Sequence, residues 1–470
     1  MKKLLYVLLI SVFAVSVSHA FADSNPTGFT NPASISSPNS NSTLPQLVAS
    51  GNNVYVGWVY DAAGKYGVML AKSNDGGASF GNNINLENIN SGAMDNLRIA
   101  ESQGKVYAVW QSFLANKSSV VFAKSDDDGA TFNRAIGISD ISKDSAFPQL
   151  AISNNHVYVT WIERTTGDVT NVIFAKSDDD GATFGMPTTI TSHGGNSGIP
   201  KIFATENHVY LIWEDNSEKN FDVFLSSSND SGTTFGTMTN VSNDKGDSGA
   251  PQMTINGNNV NVVWMDNTFG NFDILFSKST DGGVTFTKPV NVSGNQQDSG
   301  YQQFVVVGDK IYVAWTSAIS DKNYDILFAK STDGGQTFGT PINISSNPGA
   351  SGWPQISVDG NNVYTSWVDN TAGHYDIYIS KSADDGNTFE APIDVNSGTS
   401  GSWYNIMATS SNTVYLAWQQ ANPGSNDIMF VKSTTFVPEF GSIAPIILVI
   451  SIISIIAISA KNKLRFTPRF

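Results

Sequence analysis

The sequence predicts an all-β fold: a single eight-bladed β-propeller of four-stranded blades, closed by pairing of its N- and C-terminal strands and followed by a C-terminal transmembrane helix. Three observations predict it. First, Trp58, Trp110, Trp161, Trp213, Trp264, Trp315, Trp367 and Trp418 lie 51 or 52 residues apart, a period long enough for one blade each. Second, the runs between them alternate apolar and polar with period two, and none carries a helical period. Third, the last repeat stops at Lys432-Ser433-Thr434, short of its turn and last strand. The missing piece stands near the start, where Phe29, Pro32 and Ile35 have the spacing of Phe338, Pro341 and Ile344. Pairing Phe29 to Ser36 beside Asp427 to Lys432 would remove the exposed sheet edge.

Each repeat reads as four elements. A short alternating strand ends on the tryptophan, as in Val157-Tyr158-Val159-Thr160-Trp161, and a second follows, as in Asp273 to Lys278. Next comes a Gly-rich turn, Ser279 to Phe286, and then a strand opened by proline, Pro289 to Ser293. The fourth begins at Gln302 and leads into the next repeat.

The two ends predict export and anchoring. Lys2-Lys3, the apolar run Leu4 to Val17 and the small residues before Ala20 read as a signal peptide over residues 1–22. The repeats fill 23–436, a linker 437–442, an apolar span 443–460 and a basic tail 461–470. With positive residues staying inside, the repeats face outward. Net charge is −15, which argues against nucleic acid, because binding phosphate needs a basic stripe. Cysteine is absent, so stability rests on the core and not on disulfides.

The Gly-rich turn recurs seven times, at Asp75, Asp127, Asp179, Asp230, Asp281, Asp333 and Asp384, in register with the tryptophans. It resembles the Asp-box, Ser/Thr-x-Asp-x-Gly-x-Thr/Ser-Phe/Trp, of sialidase-like repeat propellers, and the resemblance covers about residues 25 to 436. It implies that these aspartates are structural, on the face opposite any active site. True sialidases have six blades and grip the substrate carboxylate with three arginines. Here only Arg98 and Arg164 could face a substrate, since Arg134 follows an Asp-box and two more lie in the tail. The end of the chain, with Pro438-Glu439-Phe440-Gly441 before the apolar span, resembles the PEF-type sorting signals of archaeal surface proteins. That resemblance implies a sortase-like processing enzyme as a partner.

On the face opposite the Asp-box turns, two features recur. Acids stand seven residues apart across one hairpin, as Asp215 with Asp222, Asp266 with Asp273 and Asp369 with Asp376. Such pairs serve as turn caps or as oxygen ligands for Ca²⁺; no other cofactor is expected. The link entering each innermost strand carries a variable residue followed two positions later by an amide, with Lys201 the one exception. The variable residues are Leu44, Met94, Phe147, Ile199, Ala250, Tyr301, Trp353 and Trp403. Tyr301, Trp353, Trp403 and Tyr404 would form an aromatic platform, with Gln303, Gln355 and Asn405 as hydrogen-bonding amides. The sequence therefore predicts a non-catalytic, membrane-anchored surface propeller that binds a glycan or a surface protein. The alternatives are an exo-glycosidase of sialidase type using Arg98 and Arg164, and a structural envelope component.

Overall fold

The computed structural model describes residues 28–433 apart from 38–39, 63, 90–92, 115–116, 166–168, 192–193, 295–296, 321–322, 397 and 399. The segments assigned to export, linker, membrane span and tail lie outside the described residues.

One repeat shows how the fold is built. Ser248–Asn256, Asn259–Asp266, Asp273–Ser279 and Val290–Asn291 pair in that order, each antiparallel to the last. Both faces of the second strand are covered by the neighbouring sheets, so Val260, Val262, Val263 and Trp264 are all fully buried. The core is accordingly divided among the junctions between repeats. Tyr210, Ile212 and Leu225 of one repeat pack against Val260, Val262 and Trp264 of the next. Burying a tryptophan removes roughly 200 Å² from water, at about 25 cal/mol per Å² a gross gain near 5 kcal/mol. All eight periodic tryptophans sit in this way, at most 1% exposed.

The description as a single eight-bladed propeller with a transmembrane helix is corrected by the observed sheets. There are seven among the described residues, six of four strands and one of eight. The eight-stranded sheet contains both the last and the first repeats. Asn41 pairs in parallel with Asn426, and the Asn426 amide reaches the Asn41 side chain at 2.6 Å. Backbone pairing thus continues across a junction where separate blades were expected. Ala33–Ser34 belongs to the same sheet, antiparallel to Ser425–Ser433, with Thr30 N donating to Lys432 O at 2.9 Å. No described residue is helical, and among the described residues no helix is long and apolar enough to cross a membrane.

The first strands of successive repeats pack side by side in chain order, and Ser402–Ser410 packs beside Asn41–Ser50. Between the first strands of the first, second, seventh and eighth repeats lies a cavity of about 470 Å³.

Candidate ligand-binding face

At one end of the sheets the Gly-rich turns repeat one hydrogen-bond pattern. In the turn at Asp179, Oδ1 accepts from Thr183 N at 2.8 Å and from Ser177 Oγ at 2.7 Å, and Oδ2 accepts from Thr183 Oγ1 at 2.6 Å. Gly181, at φ +81°, donates its N–H to Ser177 Oγ at 2.7 Å and brings its Cα against Phe122. A Cβ there would stand 2.7 Å from that ring, so both the positive φ and the close approach require glycine. The Thr183 hydroxyl and amide, with Ser177, hold Asp179 down at about 2. Each of these aspartates is consumed by its own turn.

The residue after three of these aspartates makes a contact the sequence reading missed. Asp180 accepts from Tyr107 Oη at 2.6 Å and from Lys105 Nζ at 2.5 Å, binding its turn to the preceding repeat. Asp128 does the same with Tyr55 and Lys72, and Asp385 with Tyr312 and Lys310. Their spacing from the partner tyrosine, 73 residues each time, was the available signal.

The opposite end carries the candidate site. Seven first strands bulge where they enter their sheet, and the residue in each bulge has a left-handed backbone. These residues are Leu44, Asn96, Phe147, Ala250, Tyr301, Trp353 and Tyr404, at φ between 49° and 56°. Such a backbone is costly for a large side chain, and a bulge re-aims the side chain it holds. Tyr301, Trp353 and Tyr404 are 59%, 49% and 57% exposed. Trp353 meets Tyr301 at 5.7 Å between centroids with the rings inclined at 59°. The two rings border a cleft of about 690 Å³, with Tyr324, Tyr375, Thr316 and Asn370 on its other walls. Thr316 Oγ1 is buried and has no hydrogen-bond partner among the described residues.

The bulges also set the register. Met94 and Trp403 do not occupy the positions of Tyr301 and Trp353; Asn96 and Tyr404 do. Trp403 pairs across its sheet with Gln419 and packs 6.3 Å from Tyr375. Asn405 is buried and donates to Ser366 Oγ at 2.9 Å. Gln303 and Gln355 lie on their first strands, two residues past the bulge, opposite Ala314 and Ser366. That same position holds Gln46, Arg98, Gln149, Lys201, Gln252 and Ile406 in the other repeats. Arg98 lines the cavity between the first, second, seventh and eighth repeats, whereas Arg164 is exposed at a strand end opposite Asp144.

The acid pairs stand directly across their hairpins, Asp215 from Asp222, Asp266 from Asp273 and Asp369 from Asp376. All six are buried. Hydroxyls and amides supply their partners: Ser197 to Asp215, Ser242 to Asp222, Ser248 to Asp266, Ser293 to Asp273, Ser351 to Asp369 and Asn396 to Asp376. Among the described residues no three acids or histidines gather as a metal would need. One of these carboxyls, and a neighbour of another, are unusual. Burial raises Asp376 to about 6 despite His374 3.0 Å away. Burial and the neighbouring Asp266 raise Asp244 to about 7, so this pair shares one proton near neutrality.

No family model and no curated protein matches the chain. Solved structures do resemble it. A polysaccharide lyase, Uly1, aligns at TM-score 0.49 and 10% identity over 72% of this chain and 89% of its own. A protein of unknown function from Dyadobacter fermentans aligns at TM-score 0.40 and 15% identity over 63% and 96%. A Trypanosoma rangeli sialidase bound to the inhibitor DANA aligns at TM-score 0.40 and 13% identity over 74% of this chain and 56% of its own. At these scores the likeness carries no argument about activity, which must come from the site itself.

Proposed function

We propose that this protein is a recognition protein that binds a carbohydrate in the cleft between Tyr301 and Trp353. The observation that carries the reading is the exposed, mutually inclined pair of rings, held out by strained bulges over a cleft with an unpartnered hydroxyl. Aromatic faces stack on the C–H surfaces of sugar rings, and hydroxyls and amides such as Thr316 and Asn370 bond sugar hydroxyls. A purely structural component would have no reason to hold Tyr301, Trp353 and Tyr404 exposed in left-handed backbone. The hydrolase reading asks Arg98 and Arg164 to act together, yet one lines the cavity beside Tyr404 and the other sits on a strand end. The export and anchor signals of the sequence would place this face outside the cell, on a membrane tether.

Glycan-array binding by the purified full-length chain tests the proposal. Trp353→Ala should lower affinity for a bound glycan about tenfold, the loss of one stacking contact worth roughly 1.4 kcal/mol. Arg134→Ala, on the face of the Asp179-type turns, should leave it unchanged. An empty array, or binding indifferent to Trp353→Ala, would remove the cleft as the site. Turnover of a fluorogenic sialoside would favour the hydrolase reading instead.

A further inference from the structure

Two separate series of positions wall the cleft with aromatic rings. The bulges supply Tyr301 and Trp353. The second series stands three residues before the cross-strand partner of each periodic tryptophan. It supplies Phe272 before Leu275, Tyr324 before Leu327 and Tyr375 before Tyr378. In the second repeat the same two positions hold Asn96 and Ser118, so the wall of rings is not a requirement of the fold. Tyr324, like the two bulge aromatics, is well exposed, at 44%.

The face of an aromatic ring is negative, so rings gathered around one space attract a cation into it. The one charged side chain among the described lining residues adds to that sign. It is Asp298; no lysine, arginine or histidine lines the cleft there. Its Oδ1 accepts from Phe272 N at 3.0 Å, and its carbonyl accepts from Ala318 N at 2.8 Å. Ser299 N, the next along the chain, donates to Phe272 O at 2.7 Å. The carboxylate is thus fixed between the fifth and sixth repeats. It enters no ion pair among the described residues. The buried, unpartnered Thr316 hydroxyl can accept a further N–H. An anionic group would meet ring faces and a carboxylate with no cation to oppose them.

We infer that the cleft is a site for an organic ammonium group, held against the faces of Tyr301 and Trp353 and paired with Asp298. In a glycan that group is the amine of an amino sugar, which makes the ligand class a cationic glycan. That extension rests on the carbohydrate reading; the ammonium site by itself rests on the lining of the cleft.

The test uses the full-length chain and titrates tetramethylammonium against sodium at constant ionic strength by calorimetry. An oligomer of glucosamine and its N-acetylated form of the same length are compared in the same way. Saturable binding of tetramethylammonium and of the amino oligomer is expected, with none for sodium. Trp353→Ala should weaken both by about tenfold, the loss of one cation–π face. Asp298→Asn should weaken both by about threefold to fivefold, as for an exposed charge pair. Asparagine keeps an acceptor for Phe272 N, and the fourth repeat already carries Asn196 at this position, so the variant keeps the fold. Asp247→Asn is the matched control: Asp247 is exposed and accepts from Phe221 N at 3.1 Å, but lies outside the cleft, and its loss should change nothing. Tetramethylammonium binding without any saccharide binding would leave the ammonium site standing and sink the carbohydrate reading. Equal binding of the amino and N-acetyl oligomers, unmoved by Asp298→Asn, would do the opposite. Equal weakening in Asp298→Asn and Asp247→Asn would trace the effect to net charge and overturn the inference, as would absence of both tetramethylammonium and amino-oligomer binding.

Discussion

Replacing Asp244 by asparagine should stabilise the protein, and more so at pH 8 than at pH 5. Asp244 lies four residues before Ser248, whose hydroxyl donates to Asp266 Oδ2 at 2.7 Å. Thr268 N donates to the other oxygen at 2.8 Å. Two repeats on, the equivalent position before Ser351 is Asn347, and its amide donates to Asp369 Oδ2 at 2.5 Å. Asp244 can reproduce that bond only when protonated, and burial together with the Asp266 charge keeps its proton on to about 7. An acid whose folded pKa is raised from 3.8 contributes stability that is complete below pH 4 and lost as the pH climbs through 7. Three pH units would amount to about 4 kcal/mol at most. Partial exposure of Asp244 to solvent reduces that to about 1–2 kcal/mol. Asparagine supplies the donor at every pH, so the variant should gain that amount at pH 8 and little at pH 5. For a chain of this length the gain corresponds to about 1–3 °C in Tm, measured by calorimetry at the two pH values. Equal gains at both would show that the shared proton has no part in it. Destabilisation at pH 8 would refute the reasoning outright, because it would mean both carboxylates are needed in charged form.

Three further outcomes follow from other parts of the molecule. Tyr107→Phe removes one donor from Asp180 while Lys105 and Lys124 remain, and should cost about 1 kcal/mol in urea unfolding; no loss would mean that the lysines alone hold the turn. Gly181→Ala combines a positive φ with a Cβ 2.7 Å from the Phe122 ring and should cost about 2–3 kcal/mol, against nearly nothing for Gly185→Ala, whose Cβ would meet only a carbonyl 3.7 Å away. The turn aspartates have depressed values, about 2 at Asp127, Asp179, Asp333 and Asp384. Their contribution is present above pH 4 and fades as the pH falls towards 2, so Asp179→Asn should narrow the Tm gap between pH 6 and pH 3; an unchanged gap would remove these turns as acid-sensitive points.

Strands and turns were legible in the sequence because their signals are local. Val260, Val262 and Trp264 alternate along one strand, and Ser177-x-Asp179-x-Gly181-x-Thr183 contains all the donors and acceptors its turn uses. The aromatic platform was legible in part. Tyr301, Trp353 and Tyr404 emerge at the rim, but Trp403 turns back to pack with Tyr375, and Asn405 is buried against Ser366. The links before these strands vary in length and carry no period, so counting along them misplaces a residue by one or two. In a strand, an offset of one exchanges the faces.

What the sequence determined by itself is the repeating unit: the tryptophan period, the four strands and the self-contained turns, all set by alternation and by hydrogen bonds that span a few residues. Tertiary structure alone decided three things. It merged the last and first repeats into one sheet through Asn41 and Asn426. It fixed the bulges that choose which aromatic is exposed. It brought Arg98 of the second repeat and Gln149 of the third, 51 residues apart in sequence, within 3.4 Å of each other. Each depends on backbone register between segments far apart in the chain, where only the packing of whole sheets says which residue meets which.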